Sequence, residues 1–290
     1  MNNRIPTTED PADPTHELRA DNICAGYALG RAGRSRWRGW LDSPSRPGGT
    51  LVLDNISITI PAGTRFGLRA DPGSGKTTLA RVLAGYIEPL SGHVTCNGTP
   101  VTARKGTPHS DIHLLTSSPR QHADPQRTLA QFIAEPLLTS TAQSLPPIEN
   151  TAVLRSATDG TETTAHSHDA IRYVWSRESH AAHTAALNHL TTTDEVRTAA
   201  DFVKLTATVL HSRPEEVCLA DLRRAAFARL LLAHPAYLIC DEATTDETTT
   251  ELLGAITQHL ASNGTGILIT SRTHDFLATC TDTVTELAAL

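Results

Sequence analysis

A strand pattern at Arg65–Arg69 runs directly into Ala70-Asp-Pro-Gly-Ser-Gly-Lys-Thr-Thr78, after which Leu79, Val82, Leu83 and Tyr86 recur at helical spacing. A strand, a glycine-rich turn and a helix in immediate succession leave few folds open. Such a turn gathers backbone N–H groups and the positive end of a helix dipole at one point, which suits a phosphate. A lysine then reaches the terminal phosphates, and the next hydroxyl holds Mg²⁺. Here Gly73 and Gly75 let the backbone approach, Lys76 is the cation and Thr77 the hydroxyl, with Ser74 and Thr78 completing the candidate site. One position departs from the general Gly-x4-Gly-Lys-Thr pattern: Ala70 replaces the first glycine. A positive φ there would strain alanine, and Pro72 removes one N–H donor.

Other segments repeat the alternation of strand and helix. A short strand is predicted near Leu18–Tyr27, and Asn55–Ile60 alternates like a half-buried strand before a turn at Pro61–Gly63. Asp111–Leu115, Ala236–Cys240 and Ile267–Thr270 read as further strands, Thr128–Leu138 and Leu219–Ala233 as helices. The pattern predicts an α/β domain with a mainly parallel sheet. A phosphate site of this kind needs a carboxylate at the end of a neighbouring strand. Asp241 is placed to join the Mg²⁺ shell, and Glu242 to polarise an attacking water.

Residues 1–16 are polar, contain Pro6, Pro11 and Pro14, and are predicted to be a disordered tail. Residues 28–50 read as a loop. Its run Arg31, Arg34, Arg36 and Arg38, with Trp37 and Trp40, is read as solvated; contact with anionic lipid headgroups or a membrane partner is the alternative. Residues 139–200 turn rich in Thr, Ala, Ser and His and are read as a solvated, partly disordered insertion. Its histidines, including His166, His168, His180, His183 and His189, match no metal-ligand spacing.

The length of 290 residues allows one large domain, and a net charge of −6 argues against nucleic-acid binding. Five scattered cysteines without a CxxC pair suit a reducing cytoplasm. No signal peptide is read at the start. No apolar run reaches the length of a bilayer span, so a membrane role would come through partner subunits.

Leu53–Gly63 together with the phosphate loop resembles an ATP-binding cassette subunit, and Glu88-Pro-Leu-Ser-Gly-His-Val94 is similar to the segment that follows that loop in the family. Asp124–Leu129 and Ile133–Leu137 resemble the oligopeptide, dipeptide and nickel importer branch. The resemblance covers about residues 17–138 and 201–285. It implies a P-loop NTPase core with a mainly parallel sheet, an antiparallel β subdomain and a helical subdomain, over residues 17–290 with the helical part at about 120–232. It implies ATP and Mg²⁺ as ligands, Tyr27 as the aromatic that stacks on adenine, and His274 as the γ-phosphate histidine. It also implies transmembrane permease subunits as partners, a solute-binding protein in the wider complex, and a peripheral place on the cytoplasmic face of the membrane. Peptides, nickel or metal chelates are the cargo classes of that branch.

Three family motifs are altered. Ser117 stands where the family has a glutamine, Val217-Cys-Leu-Ala-Asp221 where it has Leu-Ser-Gly-Gly-Gln, and Thr245–Thr248 where it has Ser-Ala-Leu-Asp. In the family two cassettes enclose two ATP molecules, each between one subunit's phosphate loop and the other's signature. The altered signature therefore implies a second cassette with an intact signature as partner, in an asymmetric heterodimer. Two activities stay open: a transport ATPase with one weakened site, and a nucleotide-binding structural or regulatory subunit with little turnover. A small-molecule kinase would need an acceptor pocket and a lid, for which no motif is present.

Overall fold

A computed structural model of the chain describes residues 16–28, 49–102, 109–121, 123–142, 153–155, 162–164, 177–243 and 247–287. The tail expected over 1–16 lies almost wholly outside these residues, as do the arginine-rich run, His166 and His168.

The chain runs β1 (Glu17–Ala28), β2 (Gly49–Pro61), β3 (Arg65–Arg69), α1 (Lys76–Leu83), β4 (Ser91–Cys96), β5 (Thr99–Pro100) and β6 (Ile112–Thr116). A 3₁₀ turn at Pro119–Gln121 leads to α2 (Leu129–Ala142), a hairpin of β7 (Val153–Arg155) and β8 (Glu162–Thr164), then α3 (Arg177–Leu190) and α4 (Asp194–Phe202). After α5 (Ala207–His211) and α6 (Leu219–Ala233) come β9 (Tyr237–Asp241), α7 (Glu247–Ser262), β10 (Gly266–Ser271), α8 (His274–Cys280) and β11 (Thr283–Glu286).

Two larger sheets result. One is antiparallel in the order β2-β1-β4-β5; the other is parallel in the order β11-β3-β10-β9-β6. Strand β9 is buried at every residue, as a central parallel strand covered on both faces must be. Its side chains alternate between two cores. Leu238 and Cys240 join Ile267 and Ile269 in a cluster with α2, α4, α6 and α7. Tyr237 and Ile239 join Leu268 and Leu68 in a cluster with Leu79 and Leu83 of α1 and with Leu18, Ile23 and Ile60 of the antiparallel sheet. Helix α1 is thus held between the two sheets. These layers match the fold expected from the sequence. Among the described residues, no helix is long and apolar enough to cross a membrane.

Two expectations change. The stretch read as an insertion over 139–200 ends in α3 and α4, where Leu187, Val196, Ala199 and Ala200 are buried in the helical cluster. Only Leu187 and Val196 of these four are large aliphatics, so the apolar face is short and easily hidden in a Thr-, Ala- and His-rich segment. Ala70 does not take a positive φ. Its N–H donates to the Ser271 carbonyl at 3.2 Å, so the loop leaves β3 as a continuation of the parallel ladder and alanine fits without strain.

Candidate functional site

The loop between β3 and α1 turns on two left-handed glycines, Gly73 (φ 80°) and Gly75 (φ 101°). A Cβ at Gly75 would lie 2.7 Å from Leu53 Cδ2, so φ and packing against β2 both demand glycine there. Ser74 steadies the turn: its hydroxyl donates to the Asp71 carbonyl at 2.7 Å and its N–H to the same oxygen at 3.2 Å. Lys76 is buried beneath the loop, where Nζ donates to the carbonyls of Ala70 (2.6 Å) and Asp71 (2.8 Å).

Asp241 ends β9, in register with Thr270 on β10 and Thr116 on β6. The Thr77 hydroxyl donates to Asp241 Oδ2 at 2.7 Å and the Thr270 hydroxyl to Oδ1 at 2.9 Å. Asp241 is buried, and among the described residues no cationic side chain pairs with it. A buried carboxylate without a cation is costly. A carboxylate with two hydroxyls is a hard oxygen donor set, the kind that Mg²⁺ takes. The residues present therefore fit the ion.

Glu242 follows with φ at 48°, its N–H donating to the Thr270 carbonyl at 3.3 Å. A non-glycine residue held in that region marks a position fixed by its surroundings. Its Oε1 lies 3.6 Å from Lys76 Nζ and 3.7 Å from Arg272 Nε. Tyr27 reaches the same place from β1, where its hydroxyl shares a 2.8 Å hydrogen bond with the Thr78 hydroxyl. A cleft of about 500 Å³ is lined by Tyr27, Gly73, Lys76, Thr77, Glu242 and Arg272, among others.

Residues 27, 73–78, 241 and 242 thus meet around one loop. His274 does not join them. It opens α8, its side chain is 61% exposed, its Nδ1 lies 3.9 Å from Asp275 Oδ1, and it is not among the cleft-lining residues. The cation on that connection is Arg272, which the sequence reading passed over. Its only signal was a basic residue two positions beyond Thr270, at the end of a strand.

The segment Val217–Asp221 leads into α6. Cys218 caps the helix by accepting from Asp221 N–H at 3.4 Å, and Asp221 Oδ1 pairs with Arg224 Nη1 at 2.9 Å. The Asp221 carboxylate thus folds back on its own helix, where Arg224 offsets its charge. Leu219 is exposed at that end. Ser117 lies just beyond β6, and its carbonyl is 3.5 Å from Arg223 Nη2. Thr245 and Asp246, part of the segment compared with the family's Ser-Ala-Leu-Asp, lie outside the described residues.

A family model described as ABC transporter matches residues 53–245. The nickel import ATP-binding protein NikE of Pseudomonas putida is 35% identical over 116 residues, 39% of this chain and 39% of that protein. NikE of Escherichia coli is 24% identical over 199 residues, 67% of this chain and 58% of that protein. The nickel import system ATP-binding protein NikE of Staphylococcus aureus is 26% identical over 196 residues, 68% of this chain and 61% of that protein. The chain spans from about two fifths to about three fifths of the length of these relatives. In fold it is similar to the ATP-binding cassette MJ0796 in a dimeric post-hydrolysis state bound to ADP and Pi, with a TM-score of 0.62 over 93% of each chain at 12% identity.

Proposed function

Because this chain belongs to the ABC transporter family, we propose that it is the nucleotide-binding subunit of a membrane transport complex, binding MgATP at the loop Gly73–Thr78. The observation that carries this reading is the 2.7 Å bond from Thr77 to Asp241, which brings the phosphate loop and the strand-end carboxylate into direct contact. In the proposed roles, backbone N–H groups of the loop and the Lys76 ammonium take the phosphates. Thr77 and Asp241 hold Mg²⁺, which neutralises phosphate charge when bound. Glu242 orients the attacking water and accepts its proton. Arg272, rather than His274, supplies the further positive charge at the terminal phosphate, and Tyr27 flanks the base.

The proposed partners are transmembrane permease subunits, a second cassette with an intact signature, and a solute-binding protein. The working place is then the cytoplasmic face of the membrane. A nickel cargo is proposed from the nickel import proteins to which the chain is similar, and a metal-chelate or peptide cargo from the resemblance of residues 124–137 to the wider importer branch.

A second reading is favoured by one feature. Leu219 is exposed at the start of α6, where the family's signature has small residues. A leucine there blocks close approach of a partner's phosphate. The subunit would then bind nucleotide and close with little turnover at the site its own signature completes. Losing one preorganised transition-state contact costs roughly 10²–10³ in rate.

The test is equilibrium binding of ATP to the full chain with and without Mg²⁺, followed by turnover in complex with the cassette that co-purifies with it. Binding that needs Mg²⁺ and vanishes in Lys76→Ala supports the site. No nucleotide binding, alone or in complex, sinks the proposal. Turnover that is lost in Glu242→Gln selects the first reading, and binding without turnover selects the second.

A further inference from the structure

We propose that Cys96, His109 and Asp111 form a binding site for a borderline divalent transition cation of the Zn²⁺, Co²⁺ or Ni²⁺ class, at the end of the parallel sheet remote from the phosphate loop. One ligand atom from each residue lies within 4.8 Å of the others. Tetrahedral ligands on zinc stand roughly 3.5 Å apart, from bonds of about 2.0–2.3 Å. Small side-chain rotations therefore close the group onto an ion. Thiolate and imidazole select this class over Mg²⁺ or Ca²⁺, which prefer oxygen. Three protein ligands leave a fourth position for water.

The residues come from two parts of the fold, Cys96 from the end of β4 and His109 with Asp111 from the loop before β6, and the backbone fixes each of them. Cys96 ends β4, paired with Leu18 and Thr99. The His109 N–H donates to the carbonyl of Ala84 just past α1, at 3.3 Å. The Asp111 carbonyl accepts from Tyr237 N–H at the start of β9, at 2.9 Å. Side chains are oriented as well: the Ser110 hydroxyl donates to Asp111 Oδ1 at 2.9 Å, and His109 Nδ1 accepts a long 3.3 Å bond from Asp111 N–H. Outer partners of this kind hold metal ligands in place.

The position says what the ion would do. Asp111 precedes Ile112, which stands opposite Tyr237, whereas Asp241 is level with Thr116 at the other end of β6. The five residues of β6, about 16 Å of strand, separate the two levels. The ion would not touch nucleotide. It would tie β4 of the antiparallel sheet to the leading end of the parallel sheet. The proposal does not depend on the nucleotide reading. No sequence spacing announces it, because Cys96 lies thirteen positions from His109.

The test uses the full chain, stripped with a chelator and titrated with Co²⁺ as a spectroscopic probe. The expected result is a thiolate-to-cobalt charge-transfer band that saturates at about one equivalent and is displaced by Zn²⁺. The band should be absent in Cys96→Ala, need at least about tenfold more Co²⁺ in His109→Ala and Asp111→Asn, and persist in Cys24→Ser. No band, or a band that survives Cys96→Ala, overturns the proposal. Cobalt held only by the histidines of 166–189 gives no thiolate band and overturns it too. If circular dichroism shows Cys96→Ala unfolded, the other two variants decide. Unchanged midpoints in both overturn the site, and weakened binding in both supports it.

Discussion

Thr77 and Asp241, 164 positions apart in the chain, share a 2.7 Å hydrogen bond from hydroxyl to carboxylate. The bond joins the first turn of α1 to the end of β9, so the phosphate loop and the candidate metal carboxylate are one structural unit. Asp241→Asn keeps the shape and removes the charge. ATP affinity in Mg²⁺ is expected to fall by about 10-fold or more, to the level measured without Mg²⁺. Calorimetry with and without the ion checks this, and an Asp241→Asn protein that keeps full Mg²⁺ dependence would refute the assignment.

Lys76 is buried with its ammonium on two loop carbonyls and 3.6 Å from Glu242. Saturating ATP at about 100 times its dissociation constant should stabilise the native protein by about 2.7 kcal/mol. In Lys76→Ala that increment is expected to disappear. Thermal unfolding at matched nucleotide concentrations reads the difference.

Gly75 has φ at 101° and faces Leu53. Gly75→Ala is expected to destabilise the fold by about 1–3 kcal/mol through backbone strain, before any loss of nucleotide binding. Urea denaturation without ligand separates the two effects. Gly73→Ala, at φ 80° but with open space around its Cβ, should cost less.

Arg272 lines the cleft and His274 does not. Both side chains are exposed, at 63% and 61%, so each effect is limited by solvent screening. Arg272→Ala is expected to weaken ATP binding by up to about fivefold, the upper range for an exposed charge pair. His274→Ala should leave affinity unchanged. The reverse ranking would return the γ-phosphate role to the histidine.

Glu135 on α2 is held by Arg127 at 2.7 Å and by Arg229 of α6. Burial works to raise its pKa, and the attraction of Arg229, with Arg127, overrides it and leaves the carboxyl below the ordinary glutamate range. The unfolded chain therefore binds this proton first. The stability that Glu135 contributes is fully present above its unfolded value of about 4.3 and is lost as pH falls through the lower folded value. Denaturant midpoints measured from pH 6 to pH 3 should fall less steeply in Glu135→Gln than in the unaltered protein.

Much of this site was legible because the local signals agree. Glycines, lysine and hydroxyls stand between a strand and a helix, and the bounds of β3 and α6 match those read from the sequence. The rest depended on relations the linear order does not carry. Helix α4 has only nine residues and buries Val196, Ala199 and Ala200, so its short apolar face was missed inside a Thr-, Ala- and His-rich segment. The pairing of Asp221 with Arg224 exists only once a helical turn puts them side by side. Arg272 and His274 are two positions apart, and only the turn between β10 and α8 decides which one meets the cleft.

Adjacent residues in the first turn of α1 are bonded in opposite directions, Thr77 to Asp241 in the parallel sheet and Thr78 to Tyr27 in the antiparallel one. That turn is a rivet through both layers. Any sliding of one sheet over the other must shear it, and a phosphate seated on it resists the slide. Occupancy of the loop is therefore expected to stiffen the setting of the two sheets, which labels placed on β2 and β11 would follow as a narrower spread of distances.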